Sequence, residues 1–167
     1  MFFPKRVAEK NAATYIYQMN LEEAIKSSRF VNEQQKVTLN ILYTAYWLRS
    51  NFSAALKPLD LTLEQHNVLR ILNGMYPESM CVREIGSRMI EKSSNVPRII
   101  DKLVEKKLAN RSVSKADKRE TLVSLTERGI DIIAKAKILI DQVTADVAQL
   151  DDVQSKELNA LLDQLRG

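Results

Sequence analysis

Apolar residues recur at helical spacing along most of this chain, and the pattern gives way to two short strand-like runs between residues 109 and 125. Over residues 34–56, Val37, Ile41, Ala45, Leu48, Phe52 and Ala55 fall close to the helical period and predict one long helix. Tyr43 and Trp47 form a second stripe off that face, so this helix needs cover on two sides. Pro58 ends it. Thr62 followed by Gln65 reads as an N-cap with its capping box, opening a helix that turns Val68, Leu69, Leu72 and Met75 inward and stops near Tyr76-Pro77. A further amphipathic stretch from about 126 to 149 carries Ile130, Ile133, Leu139, Ile140, Val143 and Val147. Leu150-Asp151-Asp152 should interrupt it, since Asp is a good N-cap, and a last helix presents Leu158, Leu161, Leu162 and Leu165. Near the start, Leu21, Ala24 and Ile25 share one face of a helix-permissive stretch. The terminal helices carry more apolar surface than a small lobe can cover, which predicts a homodimer; the plainer alternative is a monomer whose two ends pack together.

Between these helices lies the segment with chemistry. In residues 83–108, Ile85 and Met89 make the buried pair of a short helix, and Ile90-Glu91-Lys92 turns the chain. Ser93 or Ser94 is the expected cap of the next helix, and Pro97 marks its first turn, the one helical position proline tolerates. Val96, Ile99, Ile100, Leu103 and Val104 then face inward, leaving Asn95, Arg98, Lys102 and Lys106 outward. Arg pairs in bidentate fashion with guanine and Asn with adenine, while Ser93 and Ser94 suit base edges or phosphate, so this helix fits major-groove reading. An ordinary amphipathic surface helix would show the same pattern. The strands expected over 109–113 and 121–125 change the balance, because the loop joining them, residues 114–120, is polar and mostly basic. A hairpin tip with Lys115, Lys118 and Arg119 directly after a helix-turn-helix suits an adjacent minor groove, where negative potential concentrates.

Charge distribution supports the same segment. The net charge of +4 is modest, but residues 92–119 hold nine Lys or Arg against three acids, whereas residues 131–167 hold four bases against seven acids. A local basic footprint of this kind is what phosphate requires. Cys81 and His66 are each the sole residue of their type, which removes cysteine metal cages, intramolecular disulfides and His-based triads. No metal, cofactor or enzymatic activity is expected. No apolar run approaches the roughly 20 residues that span a bilayer, and the first residues lack a secretory signal, so the expected compartment is the cytoplasm.

On these residues the chain resembles the MarR family of winged-helix transcription regulators. The resemblance rests on LTLEQHNVLRIL at 61–72, VPRIIDKLVEKKL at 96–108, Asp117-Lys118-Arg119 in the hairpin, and Leu125-Thr126-Glu127-Arg128-Gly129 after it. It implies a mainly α fold: a winged helix-turn-helix with a small β-hairpin wing, plus long N- and C-terminal dimerisation helices. The corresponding divisions are 1–57 (N-terminal helices), 58–126 (DNA-binding lobe) and 127–167 (C-terminal helices). It further implies a homodimer that binds a pseudo-palindromic operator in double-stranded DNA as a repressor, and release by a small aromatic effector. The DNA contacts would be Ser93, Ser94, Asn95, Pro97, Arg98 and Lys102 on the recognition helix, and Lys115, Asp117, Lys118 and Arg119 on the wing. Asp117 would orient Arg119 in the minor groove.

Two departures stand out. The family commonly has glycine where this chain has Lys107, so the recognition helix is expected to end differently and to change the wing's angle. The segment before about Asn32 is also longer than usual, which suggests either an enlarged dimer interface or a biological start at Met19. Tyr43, Tyr46, Trp47 and His66 are candidate effector contacts, although packing explains the aromatics and a hydrogen-bonded surface position explains His66. Cys81 reads as a buried structural cysteine rather than an oxidant sensor. The alternative function is a winged-helix protein-interaction module without DNA binding.

Overall fold

A computed structural model describes residues 19–91, 95–147 and 149–167 of the chain. Its helices are α1 (Leu21–Ile25), α2 (Glu33–Leu56), α3 (Leu63–Asn73), α4 (Val82–Arg88), α5 (Val96–Glu105), α6 (Glu127–Val147) and α7 (Asp152–Arg166), with a short 3-10 turn at Lys57–Leu59. The strands β1 (Met80–Cys81), β2 (Ala109–Val113) and β3 (Thr121–Leu125) form one antiparallel sheet in the order β1-β3-β2. The described chain divides into two compact units, Arg49–Asp141 and the remainder.

Local chemistry sets most of these boundaries. Thr62 Oγ1 accepts from the Gln65 amide at 3.2 Å and Gln65 Oε1 accepts from the Thr62 amide at 3.3 Å, so the capping box that starts α3 is complete. Asp151 and Gln154 do the same for α7, at 2.9 and 3.1 Å. The α3 helix departs from expectation at its end: it stops at Asn73, leaving Met75 outside the helix and exposed, while Ile71 joins the core. The strand β1 is also additional. It is only two residues long, too short to leave a periodic signal, and exists because β3 offers it an edge, with Met80 opposite Val123 and Cys81 opposite Leu122.

The core lies in the Arg49–Asp141 unit. Leu56, Val68, Leu69, Leu72, Ile85, Ile100, Leu103 and Val123 are almost wholly excluded from solvent, drawn from the end of α2, three helices and the sheet. Cys81 is buried beside them and its Sγ accepts from the Glu84 amide at 3.5 Å at the start of α4, as suits a structural cysteine. The α7 helix, in the other unit, leaves Leu158, Leu161 and Leu165 exposed.

Lys107 corrects the expectation that α5 would end differently without glycine. It takes the left-handed conformation itself, with φ of 59°. Its amide donates to Val104 O at 2.9 Å and the Leu108 amide donates to Leu103 O at 2.9 Å, the two bonds of a Schellman motif. Leu103 and Leu108 are both buried and supply the apolar contact that accompanies it. The glycine geometry is therefore kept, at the energetic cost of holding a side chain in that region, about 1 kcal/mol. Lys107→Gly is expected to raise stability by up to about that amount, less the extra entropy of a glycine in the unfolded chain. Chemical denaturation would read this as a higher midpoint at unchanged slope; a lower midpoint would contradict it.

The same joint receives the start of α6. Thr126 Oγ1 donates to Lys107 O at 2.8 Å and accepts from the Gly129 amide at 3.0 Å, while the Thr126 amide donates to Leu108 O at 3.2 Å. Gly129 comes so close that a Cβ there would lie 2.1 Å from Leu108 O. The Leu-Thr-x-x-Gly sequence is thus a docking device: a threonine that caps one helix while holding the C-terminus of another, and a glycine that lets the backbones meet.

Candidate nucleic-acid interface

The basic segment is built on two rigid supports. The first is α5, which begins at Val96 with Asn95 in the N-cap position and Pro97 in the first turn. Ser93 and Ser94, the expected caps and contacts, lie outside the described residues. Val96, Ile100 and Leu103 are buried in the core, and Ile99 and Val104 pack against it. Burying that stripe fixes the helix's rotation and leaves Asn95, Pro97, Arg98 and Lys102 exposed. Lys102 Nζ lies 2.8 Å from Glu105, an exposed pair of little energetic weight that leaves the ammonium free to exchange partners. Lys106, expected to face outward with them, instead turns back: its Nζ lies 3.0 Å from the Asp60 carboxylate and donates to Gln65 Oε1 at 3.1 Å. A cavity of about 350 Å³ is lined by Glu64 and Gln65 from the first turn of α3, Met89, Asn95 at the N-cap of α5, and Arg98 and Lys102 from α5.

The second support is the hairpin. Five register pairs, from Ala109 opposite Leu125 to Val113 opposite Thr121, hold β2 to β3. Buried Ser114 organises the tip, its Oγ accepting from the amides of Ala116 at 3.3 Å and Asp117 at 3.2 Å. The turn closes through Ser114 N to Glu120 O at 3.0 Å and Glu120 N to Asp117 O at 2.9 Å. Lys115, Asp117, Lys118 and Arg119 are all exposed on it. Asp117 acts on Arg119 through the backbone: its carboxylate accepts from the Arg119 amide at 2.9 Å, an Asx-type turn that sets where the Arg119 side chain leaves the loop.

Two arginines outside the expected set shape this surface. Arg111 on β2 reaches α5, with Nη1 2.6 Å from Asp101 Oδ1 and Nη2 donating to Pro97 O at 2.9 Å. Arg49 near the end of α2 pairs with Glu64 at the start of α3 and with Glu91 in the turn before α5. Desolvation is the largest single influence on the Glu64 carboxyl and raises its pKa, but backbone and Thr62 hydrogen bonds together with Arg49 outweigh it and hold the group below its ordinary range. The partners in these contacts are 10 to 42 residues apart, so no local spacing announces them.

The candidate effector residues fall on separate units. Tyr43 and Trp47 are half-buried and Tyr46 is exposed on α2. His66, on α3 in the other unit, is half-buried; desolvation and the nearby Arg70 lower its pKa and favour the neutral ring. No group of His, Cys, Asp or Glu among the described residues has the arrangement to hold a metal ion. No described helix is long and apolar enough to cross a membrane.

Comparison with known proteins agrees with this geometry. Residues 61–129 match the winged helix DNA-binding domain family. The fold matches that of a mutant of MarR from E. coli complexed with operator DNA, with a TM-score of 0.73 and 24% identity over 83% of this chain and 99% of that one. AbsC, a MarR family transcriptional regulator from Streptomyces coelicolor, matches with a TM-score of 0.74 and 18% identity over 83% of this chain and 96% of its own. CouR from Rhodococcus jostii, solved bound to p-coumaroyl-CoA, matches with a TM-score of 0.69 and 20% identity over 81% and 95%.

Proposed function

From a chain with the winged-helix fold of MarR-type regulators, we propose that this protein is a cytoplasmic repressor that binds a pseudo-palindromic operator as a homodimer. The observation that carries the reading is the pairing of an exposed Asn95–Arg98–Lys102 face on a helix anchored in the core with a rigid hairpin tip bearing Lys115, Lys118 and Arg119. A helix held by its buried side presents its polar side to the major groove, and Arg119 enters the neighbouring minor groove. Asn95 and Pro97 stand at the amino end of the helix, Ser93 and Ser94 are further contacts by their place in the sequence, and Asp117 sets the course of Arg119. The exposed leucines of α7 and the exposed Leu42 and Tyr46 of α2 supply apolar surface for a second copy. Release by a small aromatic effector belongs to the same reading.

The test is selection of duplexes from a random pool at physiological salt. The expected winner is a palindrome whose half-sites lie about one helical turn, roughly 10 bp, apart. A pool that yields no enriched sequence would sink the operator reading and favour a protein-interaction module built on the same fold.

A further inference from the structure

We propose that Arg111 is a positioning residue, which fixes the wing against the recognition helix and contributes no charge to the DNA; this rests on the DNA-binding reading above. Arg111 belongs to the basic segment by sequence, yet its guanidinium is turned back along the surface onto α5, with about 32% of the side chain still exposed. One nitrogen meets the Asp101 carboxylate at 2.6 Å and another donates to Pro97 O at 2.9 Å. These two acceptors stand four residues apart on α5, so the fork spans one helical turn and restrains the rotation of the helix as well as its distance from β2. At its other end Arg111 sits in the middle of the β2–β3 ladder, opposite buried Val123. The wing tip follows within a few residues. Any change in the fork is therefore carried directly to Lys115, Lys118 and Arg119.

The arrangement also accounts for Asp101, an exposed acid beside Lys102 on a helix meant for a polyanion. Arg111 pairs with it through a fork that Pro97 O also holds, so the two charges largely offset each other and add little net attraction for phosphate. Positioning and contact then predict different behaviour. A phosphate contact changes the salt dependence of binding, and lysine can replace arginine there. A two-pronged strut changes discrimination between sequences, and lysine cannot replace the fork.

The experiment measures affinity for the selected operator and for a scrambled duplex across a salt series, using Arg111→Gln, Arg111→Lys, Asp101→Asn and the Arg111→Gln/Asp101→Asn double variant. Each is expected to lower the operator-to-scrambled ratio by about tenfold, the scale of one mismatched base pair, with the salt slope unchanged. The double variant should be no worse than either single one, because both remove the same interaction. A slope reduced by about one unit and restored by lysine would make Arg111 a phosphate contact and overturn the proposal; so would an unchanged ratio. Amide exchange without DNA provides an independent arm. In Arg111→Gln, and in Arg111→Lys should the glutamine variant not fold, amides of 98–101 and 109–113 should exchange severalfold faster while those of α3 stay as they were. If the wild type binds no duplex, the DNA-binding reading fails, and the exchange arm still decides on the strut: unchanged exchange at 98–101 and 109–113 rejects it.

Discussion

Replacing Arg98, Lys118 and Arg119 together by alanine is expected to weaken operator binding by at least about a hundredfold, because under the proposed function it removes a base-edge contact and two cations from the wing. The slope of log affinity against log salt should become shallower by about two to three units, close to one for each cation removed from the DNA-facing surface. All three side chains are exposed, and none makes an ion pair among the described residues, so the thermal midpoint should stay nearly constant. That separation makes the result interpretable. Arg119→Ala alone should account for about one unit of the slope. A triple variant that keeps its operator affinity and salt slope would show that these three side chains do not face the DNA.

The second large effect is on stability, at Gly129. Adding a methyl group there puts a Cβ 2.1 Å from Leu108 O, 3.1 Å from Leu108 C and 3.2 Å from Leu125 Cδ2. The Leu108 carbonyl has no easy way to retreat. It accepts the Thr126 amide, its residue is tied to Leu103 O through its own amide, and its side chain is buried. Gly129→Ala is therefore expected to cost about 3 kcal/mol, the upper end of ordinary overpacking. For a chain of this size that lowers the unfolding midpoint by about 6–12 °C. Thr126→Ala is a useful comparison: it removes the cap of α6 and the bond to Lys107 O without a clash, and should cost about 1–2 kcal/mol. If the glycine variant melts within a degree of wild type, the close approach is not what requires a glycine.

The joint formed by Lys107, Leu108, Thr126 and Gly129 stands between α5, the hairpin and α6. Each of its bonds is modest by itself. Together they define the angle at which β2 leaves α5, and with the Arg111 fork they leave the wing little freedom relative to the helix. Under the proposed function, placement of this kind lets two separate contact elements act as one site, because little ordering is left to be done on binding.

Much of this was legible from local pattern. Periodicity located the long helices and the buried face of α5, since a stripe of apolar residues must be covered whatever covers it. Thr62 and Asp151 marked helix starts because a capping box is closed within four residues. The β2 and β3 runs and their polar loop were likewise local, and so was the exposure of Arg98, Lys102, Lys118 and Arg119. The tertiary structure decided what depends on distant neighbours. It ended α3 at Asn73, left Met75 outside the core, and created β1 by giving it an edge to pair with. It kept Lys107 left-handed without a glycine, because two backbone bonds and a buried leucine pair outweigh the local preference. It also sorted the cations. Lys106 and Arg111 look the same in sequence as Arg98 and Arg119, yet Asp60 and Asp101 hold them inside the protein's own network. A sequence determines how much charge a segment carries; only the packed chain, by bringing distant carboxylates to 3.0 Å and 2.6 Å, determines which of those charges remain to meet a partner.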